Sequence, residues 1–379
     1  METCYLCEEK LVKPDKTNLT VIPNVSKEHI ILNSIGGRLH SYTLLCKICN
    51  STFGSQCDKE LSGQLSNLSS LLQIKRDDGE IQDIIGTGED GLQYRLIKGF
   101  RPVMAKPKMS INGNMVSYST SSTTAMNKFM NSLGRKVEGF DVESAKKKIV
   151  QKQAYIKPIT FTDVIGSELA FKSITKTAVN YYIEQTKDRE QVKHLFKYLK
   201  NEEEKDVAFH FHSKKPLYQK TYKDEVVHLL HIVGNKYTKM LYCYVEFFSS
   251  SCFIVKLSEN YSGENINSTY CYDVLKNQVI NIELDLHLSR ARMKEIFRKN
   301  IAYNKPLVTK LDRIIKIAQE IQNQMAFKEM VEQTAKQLCI DYNVDTSDEA
   351  VKRRIYNVMY NKLMEYKKGY RQFQNQINQ

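Results

Sequence analysis

The spacing of apolar residues changes several times along this chain, and each change predicts a different kind of element. Residues 50–72 lack proline and place Phe53, Leu61, Leu65, Leu68 and Leu72 at helical intervals, which predicts one helix with Gly54 a weak point in its first turns. Ahead of it, residues 19–22 read as a short strand, and the apolar run at 29–32 leads into a Gly36-Gly37 turn. Residues 76–120 switch to short apolar runs separated by Gly79, Gly86, Gly88, Gly91, Gly99 and Gly113, the pattern of β-hairpins. The Ser/Thr tract at 119–124 reads as a linker or a helix N-cap. Ile165, Leu169, Phe171, Ile174, Ala178, Tyr181 and Tyr182 then form a helical stripe, and residues 194–199 close a second helix. Strands follow at 206–212, 226–233, 241–248 and 252–257, with a fifth near 270–274. From residue 305 the period is helical again, through Leu311, Ile314, Ile315, Ala318, Ile321 and Met325, then through Val351, Ile355, Val358, Met359 and Leu363. Two helices forming a C-terminal hairpin are expected there, the second starting near 346–349, with a frayed Gln-rich end.

The order of these elements predicts an α+β chain in four parts. A small unit at 1–75 is followed by a β-hairpin-rich connection at 76–150. An α+β region with antiparallel strands occupies 151–304, and a helical segment 305–379. The length of 379 residues and a 41% hydrophobic content suffice for real cores. No apolar run approaches the ~20 residues of a membrane helix, and the chain opens without a basic-then-apolar leader, so a cytoplasmic protein without a membrane partner is expected. A formal net charge of +13 favours a polyanionic partner, although basic composition alone is weak ground for one.

Cysteine spacing brings in the first specific chemistry. Cys4 and Cys7, then Cys46 and Cys49, form two Cys-x-x-Cys knuckles, and two such pairs complete a tetrahedral S4 zinc site with no position open to substrate. The zinc is therefore expected to be structural. Cys57, Cys243, Cys252, Cys271 and Cys339 have no paired spacing and read as buried apolar residues in a reducing interior.

Between and just after the knuckles lie Glu28-His29-Ile30, Gly36-Gly37 and Asn50. Knuckles that enclose Glu-His-Ile and Gly-Gly and end in Cys-Asn resemble the HNH, or ββα-metal, endonucleases, in particular the subgroup carrying a Cys4 zinc. The resemblance covers about the first seventy residues, through the stretches 4–7, 26–37 and 44–61. It implies a small zinc-stapled nuclease domain in which His29 is the general base. It also implies a divalent ion held by Glu28 and by Asn50, which stands where the family has its last His or Asn. Hard oxygen donors of this kind suit Mg²⁺ or Mn²⁺. Asp58, eight residues after Asn50, is either a further ligand or a surface acid. The family's middle Asn has Ser41 in its place, and a hydroxyl cannot make an amide's full set of hydrogen bonds.

Gly36 and Gly37 allow a sharp turn and a close backbone approach to phosphate. Arg38 is a candidate phosphate clamp, Lys47 and Lys27 are weaker ones, and His40 either touches phosphate or is simply exposed. His210 and His212, with His228 and His231, could suggest a second metal, but polar alternation on a half-buried strand accounts for them equally well. The 22 tyrosines could stack on bases or fill cores. The resemblance implies an endonuclease acting on nucleic acid, with double-stranded DNA the expected substrate and restriction or phage defence the family's usual setting. A homodimer through the C-terminal helices would supply a second cut. The alternative is a non-catalytic zinc-bearing nucleic-acid-binding or adaptor protein.

Overall fold

The structure, a computed structural model, describes residues 2–342 apart from 15–21, 77–78, 80, 82, 98–100, 113–114, 148, 150–158, 161–165, 212, 214, 221–223, 285 and 299–304, together with isolated positions between 353 and 364. The strand expected over 19–22 and the second C-terminal helix fall largely outside the described residues. The chain divides into two compact units, Met1–Ala318 and Gln319–Gln379.

The first unit begins with a two-residue hairpin, β1 (Glu28–His29) and β2 (His40–Ser41), whose arms are joined by a 3₁₀ turn at Asn33–Ile35. Helices α1 (Lys47–Ser55) and α2 (Cys57–Leu71) follow. The single helix predicted over 50–72 is thus two, parted at Gln56, whose φ of −116° and ψ of −88° are not helical. Gly54 and Ser55, both poor helix formers, immediately precede the break. Beyond it Leu61, Leu65 and Leu68 bury one face of α2 at the expected spacing.

Five short strands come next: β3 (Ile84–Gly88), β4 (Gln93–Ile97), β5 (Arg101–Met104), β6 (Lys108–Asn112) and β7 (Met115–Ser119), all paired antiparallel as hairpins. The Ser/Thr tract proves to be a cap, because Ser122 Oγ accepts from Ala125 N and starts α3 (Thr123–Lys136). Helix α4 (Val142–Lys147) and strand β8 (Ile159–Thr160) complete this region, β8 pairing with β3.

Helix α5 (Glu168–Thr186) is capped by Ser167 and ends at Lys187, a left-handed residue with φ +58°. It packs against α2 on one side and a six-stranded sheet on the other, and thirteen of its residues are buried. A 3₁₀ turn and α6 (Phe196–Leu199) follow. The sheet is antiparallel, built from β9 (Ala208–His210), β10 (Val227–Asn235), β11 (Met240–Phe247), β12 (Ser251–Ser258), β13 (Ile266–Asp273) and β14 (Gln278–Val279), in the order β14-β13-β10-β11-β12-β9. Val227, Leu229, Tyr242, Tyr244, Cys252 and Ile254 form one face, with Met293 and Ile296 of α7 (Arg290–Arg298) packed on it. Alternation along β10 turns His228, Leu230 and Ile232 to the opposite face, where α5 lies. Helix α8 (Lys305–Tyr342) is one continuous helix of 38 residues, and its first turns belong to the first unit. No described helix is long and apolar enough to cross a membrane.

Candidate active site

The Sγ atoms of Cys4, Cys7, Cys46 and Cys49 lie within 4.8 Å of one another. Cys7 Sγ and Cys46 Sγ are 3.7 Å apart, close to the about 3.8 Å edge of a tetrahedron with Zn–S bonds near 2.3 Å. Backbone geometry builds the knuckles: Thr3 bridges Lys10 across the first, and Val25 bridges Cys46 ahead of the second. Cys46 caps α1, its sulfur accepting from Cys49 N at 3.4 Å. Burial and the crowding of like groups push the Cys49 thiol up, whereas backbone N–H donors hold Cys4 down despite its burial. A metal removes that conflict by replacing the protons. The four sulfurs fit a structural zinc and leave no side for substrate.

The clip holds the hairpin that carries the Glu-His pair. Register sets Glu28 opposite Ser41 and His29 opposite His40. Because successive strand residues point to opposite faces, Glu28 turns inward, 1% exposed, while His29 is half-buried beside the exposed His40, the two rings 6.0 Å apart. His40 Nδ1–H donates to the Arg38 carbonyl at 3.0 Å, and its ring meets Tyr42 edge-on.

Inside, the structure brings Glu28 and Asp58 together, and what it places between them is an ammonium. Lys176 of α5 lies 2.7 Å from Glu28 Oε1 and 2.6 Å from Asp58 Oδ2, and its side chain is 1% exposed. Asn180 Nδ2 donates to the same Glu28 oxygen at 2.8 Å, and Ser173 Oγ donates to Asp58 Oδ1 at 2.6 Å. The Phe53 ring closes another side, 5.2 Å from the ammonium. Burial alone would push Lys176 down, but the two carboxylates outweigh it and hold the amine firmly protonated. Burial raises Glu28, and Asp58 adds to the rise, since one cation cannot fully balance two anions. Further along the same helical face, Glu184 accepts from Ser41 Oγ at 2.7 Å. Residues 173, 176, 180 and 184 recur every three or four positions, so one stripe of α5 forms the polar back wall of the hairpin.

Residues 4–66 match the family model described as HNH endonuclease. This segment is similar to the HNH endonucleases. The match brings with it nuclease chemistry in general and a nucleic-acid substrate, while residues 67–379 lie outside it. No curated protein and no solved structure matches the chain.

The other expected residues of the HNH segment are distributed around this frame. Asn50 is half-buried in the first turn of α1. Asp58 sits past the helix break and faces α5. Gly36 has φ +86°, and Gly37 lies against the Ile31 carbonyl, which a Cβ would meet at 2.1 Å; Gly37 thus serves close packing. Arg38 donates to Asn33 Oδ1 and to the Lys75 carbonyl, both at 3.1 Å, tying the turn to the end of α2. Lys47 Nζ donates to the Pro23 carbonyl at 2.8 Å, and Lys27 is exposed.

Of the histidines away from the HNH segment, His228 Nε2–H donates to the Ile35 carbonyl at 2.9 Å and Nδ1 accepts from Phe248 N at 3.3 Å, which fixes a neutral tautomer. Burial pushes it down to about 4. His231 pairs with Thr269 Oγ1, and His212 lies outside the described residues. Among the described residues, the four cysteines form the one cluster able to hold a metal ion.

Sequence reasoning missed Ser173, Lys176, Asn180 and Glu184. A signal existed: residues 168–186 carry Lys, Ser, Thr and Asn on every side of a helix that also carries Ala, Val, Ile and two tyrosines. A helix with no clean polar face is packed on more than one side, and its polar residues then need partners.

Proposed function

We propose that the chain is an endonuclease that hydrolyses phosphodiester bonds in double-stranded DNA, with His29 as general base. The observation that supports this best is the division of labour at β1: Glu28 is taken inward to Lys176, and His29 is left toward solvent on a hairpin stapled by four thiolates. In its neutral form the imidazole accepts a proton from water as the water oxygen attacks phosphorus and the bond to the 3′ oxygen breaks. His40 lies where a phosphate oxygen could be met, on the same exposed edge.

A catalytic Mg²⁺ or Mn²⁺ is part of this reading, but the expected donors do not fit it as arranged. Glu28 and Asp58 are the counter-ions of Lys176, and neither is open to a divalent ion while that ammonium stays between them. Asn50, half-buried at the start of α1, is the expected donor that remains. No step of the mechanism above is routed through the ion. One such site cuts one strand per visit, so duplex cleavage calls for two copies, which we assign to the C-terminal helices. Light scattering that finds only monomer under conditions of duplex cleavage overturns that assignment.

The test of the reading itself is nicking of supercoiled plasmid, with and without added Mg²⁺, by the wild-type protein and by His29→Ala. Loss of nicking with DNA binding retained supports the enzyme. Equal cutting by both proteins removes His29 from the chemistry, and DNA binding without cutting in either supports a non-catalytic binding module.

A further inference from the structure

The inward-facing residues of the hairpin, Glu28 and Ser41, stand directly opposite each other, and α5 holds both. Asn180 Nδ2 donates to Glu28 Oε1 at 2.8 Å, and Ser41 Oγ donates to Glu184 Oε2 at 2.7 Å. Thr43 Oγ1, just past the second arm, donates to the same Glu184 oxygen at 3.4 Å. Residues 180 and 184 are separated by about 6 Å of helical rise, and paired strands lie about 4.8 Å apart. Consecutive turns of the helix therefore meet opposite arms of the hairpin. One turn earlier, Lys176 joins Glu28 to Asp58, so the stripe ties α2, β1 and β2 in sequence.

The hairpin needs such ties. Its ladder has two residue pairs, Glu28 with Ser41 and His29 with His40, and a two-stranded ladder is marginal alone. The cysteine clip fixes one end, where Val25 bridges Cys46. At the other end His228 Nε2–H donates to the Ile35 carbonyl in the connecting turn, at 2.9 Å. Between the two, Glu28 and Ser41 are 1% and 5% exposed against α5. His29 and His40 are the next pair along and point the opposite way. Fixing the inward pair from behind sets the direction in which the outward pair projects.

We propose that Asn180 and Glu184, both outside the HNH segment, are positioning residues for the candidate base His29. This rests on the nuclease reading given above. The two residues act through Glu28 and Ser41, keeping the hairpin at one depth and tilt against α5. Residues 4–66 thus supply the base and the zinc clip, and α5 supplies the wall that orients them.

Single-turnover nicking of supercoiled plasmid at saturating full-length protein, with duplex affinity from fluorescence anisotropy, tests it. Rates are taken per zinc-bound molecule. Glu184 is half-buried, so Glu184→Ala is expected to fold and keep its zinc. It should nick about ten- to a hundredfold more slowly at unchanged duplex affinity, the scale of loss that a displacement of roughly 1 Å produces. Asn180→Ala should slow nicking by a similar factor. Glu184→Gln, whose amide oxygen still accepts from Ser41, should recover most of the rate. Lys187→Gln, which removes only the ion pair of Glu184 at 3.0 Å, should nick as the wild type does. Ser41→Ala should reproduce the loss, and Ser41→Ala with Glu184→Ala should be no slower than either alone, as two ends of one contact require. Amide hydrogen exchange over residues 26–43 should quicken in Glu184→Ala with zinc retained. Wild-type nicking rates in Glu184→Ala and Ser41→Ala, or unchanged exchange, overturn the positioning role and leave His29 as the base. Equal slowing by Lys187→Gln also overturns it, by tracing the loss to the ion pair. A wild type that never nicks, with or without Mg²⁺, overturns the nuclease reading and this role together.

Discussion

Two clusters of buried charge flank the six-stranded sheet, and they are built to opposite plans. On the α5 side, one ammonium sits between two carboxylates, with Asn180 and Ser173 filling the remaining donor positions and the Lys176 and Glu28 side chains each 1% exposed. On the other side, Lys310 lies 3.9 Å from Glu246, which also accepts from Tyr218 and Tyr244, while Arg313 and Lys220 donate to the Glu225 carbonyl, and the group borders a cavity. A cluster enclosed on every side holds elements together through its pairs, whereas one beside an open space keeps part of its charge in contact with solvent. Both contain a lysine, a carboxylate and aromatic rings, so composition alone would not separate them. Closure does.

The sharpest way to break this comparison is to remove the central cation of each cluster. Lys176→Met leaves Glu28 and Asp58 buried without a counter-ion and should cost about 3–5 kcal/mol, read as a fall in the denaturation midpoint at unchanged m-value. Lys310→Met, beside the open cavity, removes a long, partly solvated ion pair with Glu246 and should change stability by about 1 kcal/mol or less. Equal losses would show that the second cluster is a staple too.

The closed cluster was half legible in the sequence. The knuckles, the Glu-His pair and Asn50 lie within one local stretch. What could not be read was the partner. Lys176 meets Asp58 across 118 residues and Asn180 meets Glu28 across 152, and no periodicity within either segment specifies a pairing between them. The helix break at Gln56 was missed for a related reason: Gly54 signals only a weak point, and burial of Cys57 and Asp58 against α5 decides that the chain bends there. The strands of the large sheet were legible because apolar runs and the turn residues that bound them are local. The cavity was not, since its cations come from the loop before β10 and from α8.

A second test uses acid, because the closed side of the sheet also carries His228, wedged neutral between the Ile35 carbonyl and Phe248 N. Its native pKa, pushed down to about 4, lies below the about 6.5 of an unfolded chain. Between those values the unfolded state takes up a proton that the native state refuses. Stability should therefore hold above pH 6.5 and fall by about 3 kcal/mol as pH drops to 4. Denaturant midpoints across that range check this, and His228→Gln, which cannot titrate, should flatten the slope. A wild-type slope unchanged by the substitution would mean that other groups carry the acid sensitivity.

A smaller effect on stability than these two, and the most discriminating test, concerns Glu28. As the counter-ion of Lys176 it should respond to Glu28→Gln by losing about 1–3 kcal/mol, because the amide keeps an acceptor for Asn180 but no charge. As a ligand of a divalent ion it should lose little stability, while the Mg²⁺ concentration giving half-maximal nicking rises steeply. Thermal denaturation without added metal and a Mg²⁺ titration of nicking measure the two separately. His29→Ala anchors the comparison, since an outward-facing residue should abolish nicking with the midpoint almost unmoved. If Glu28→Gln shifts only the Mg²⁺ requirement, the ammonium between the carboxylates yields to a metal during catalysis, and the cluster that looks closed is in fact a gated one.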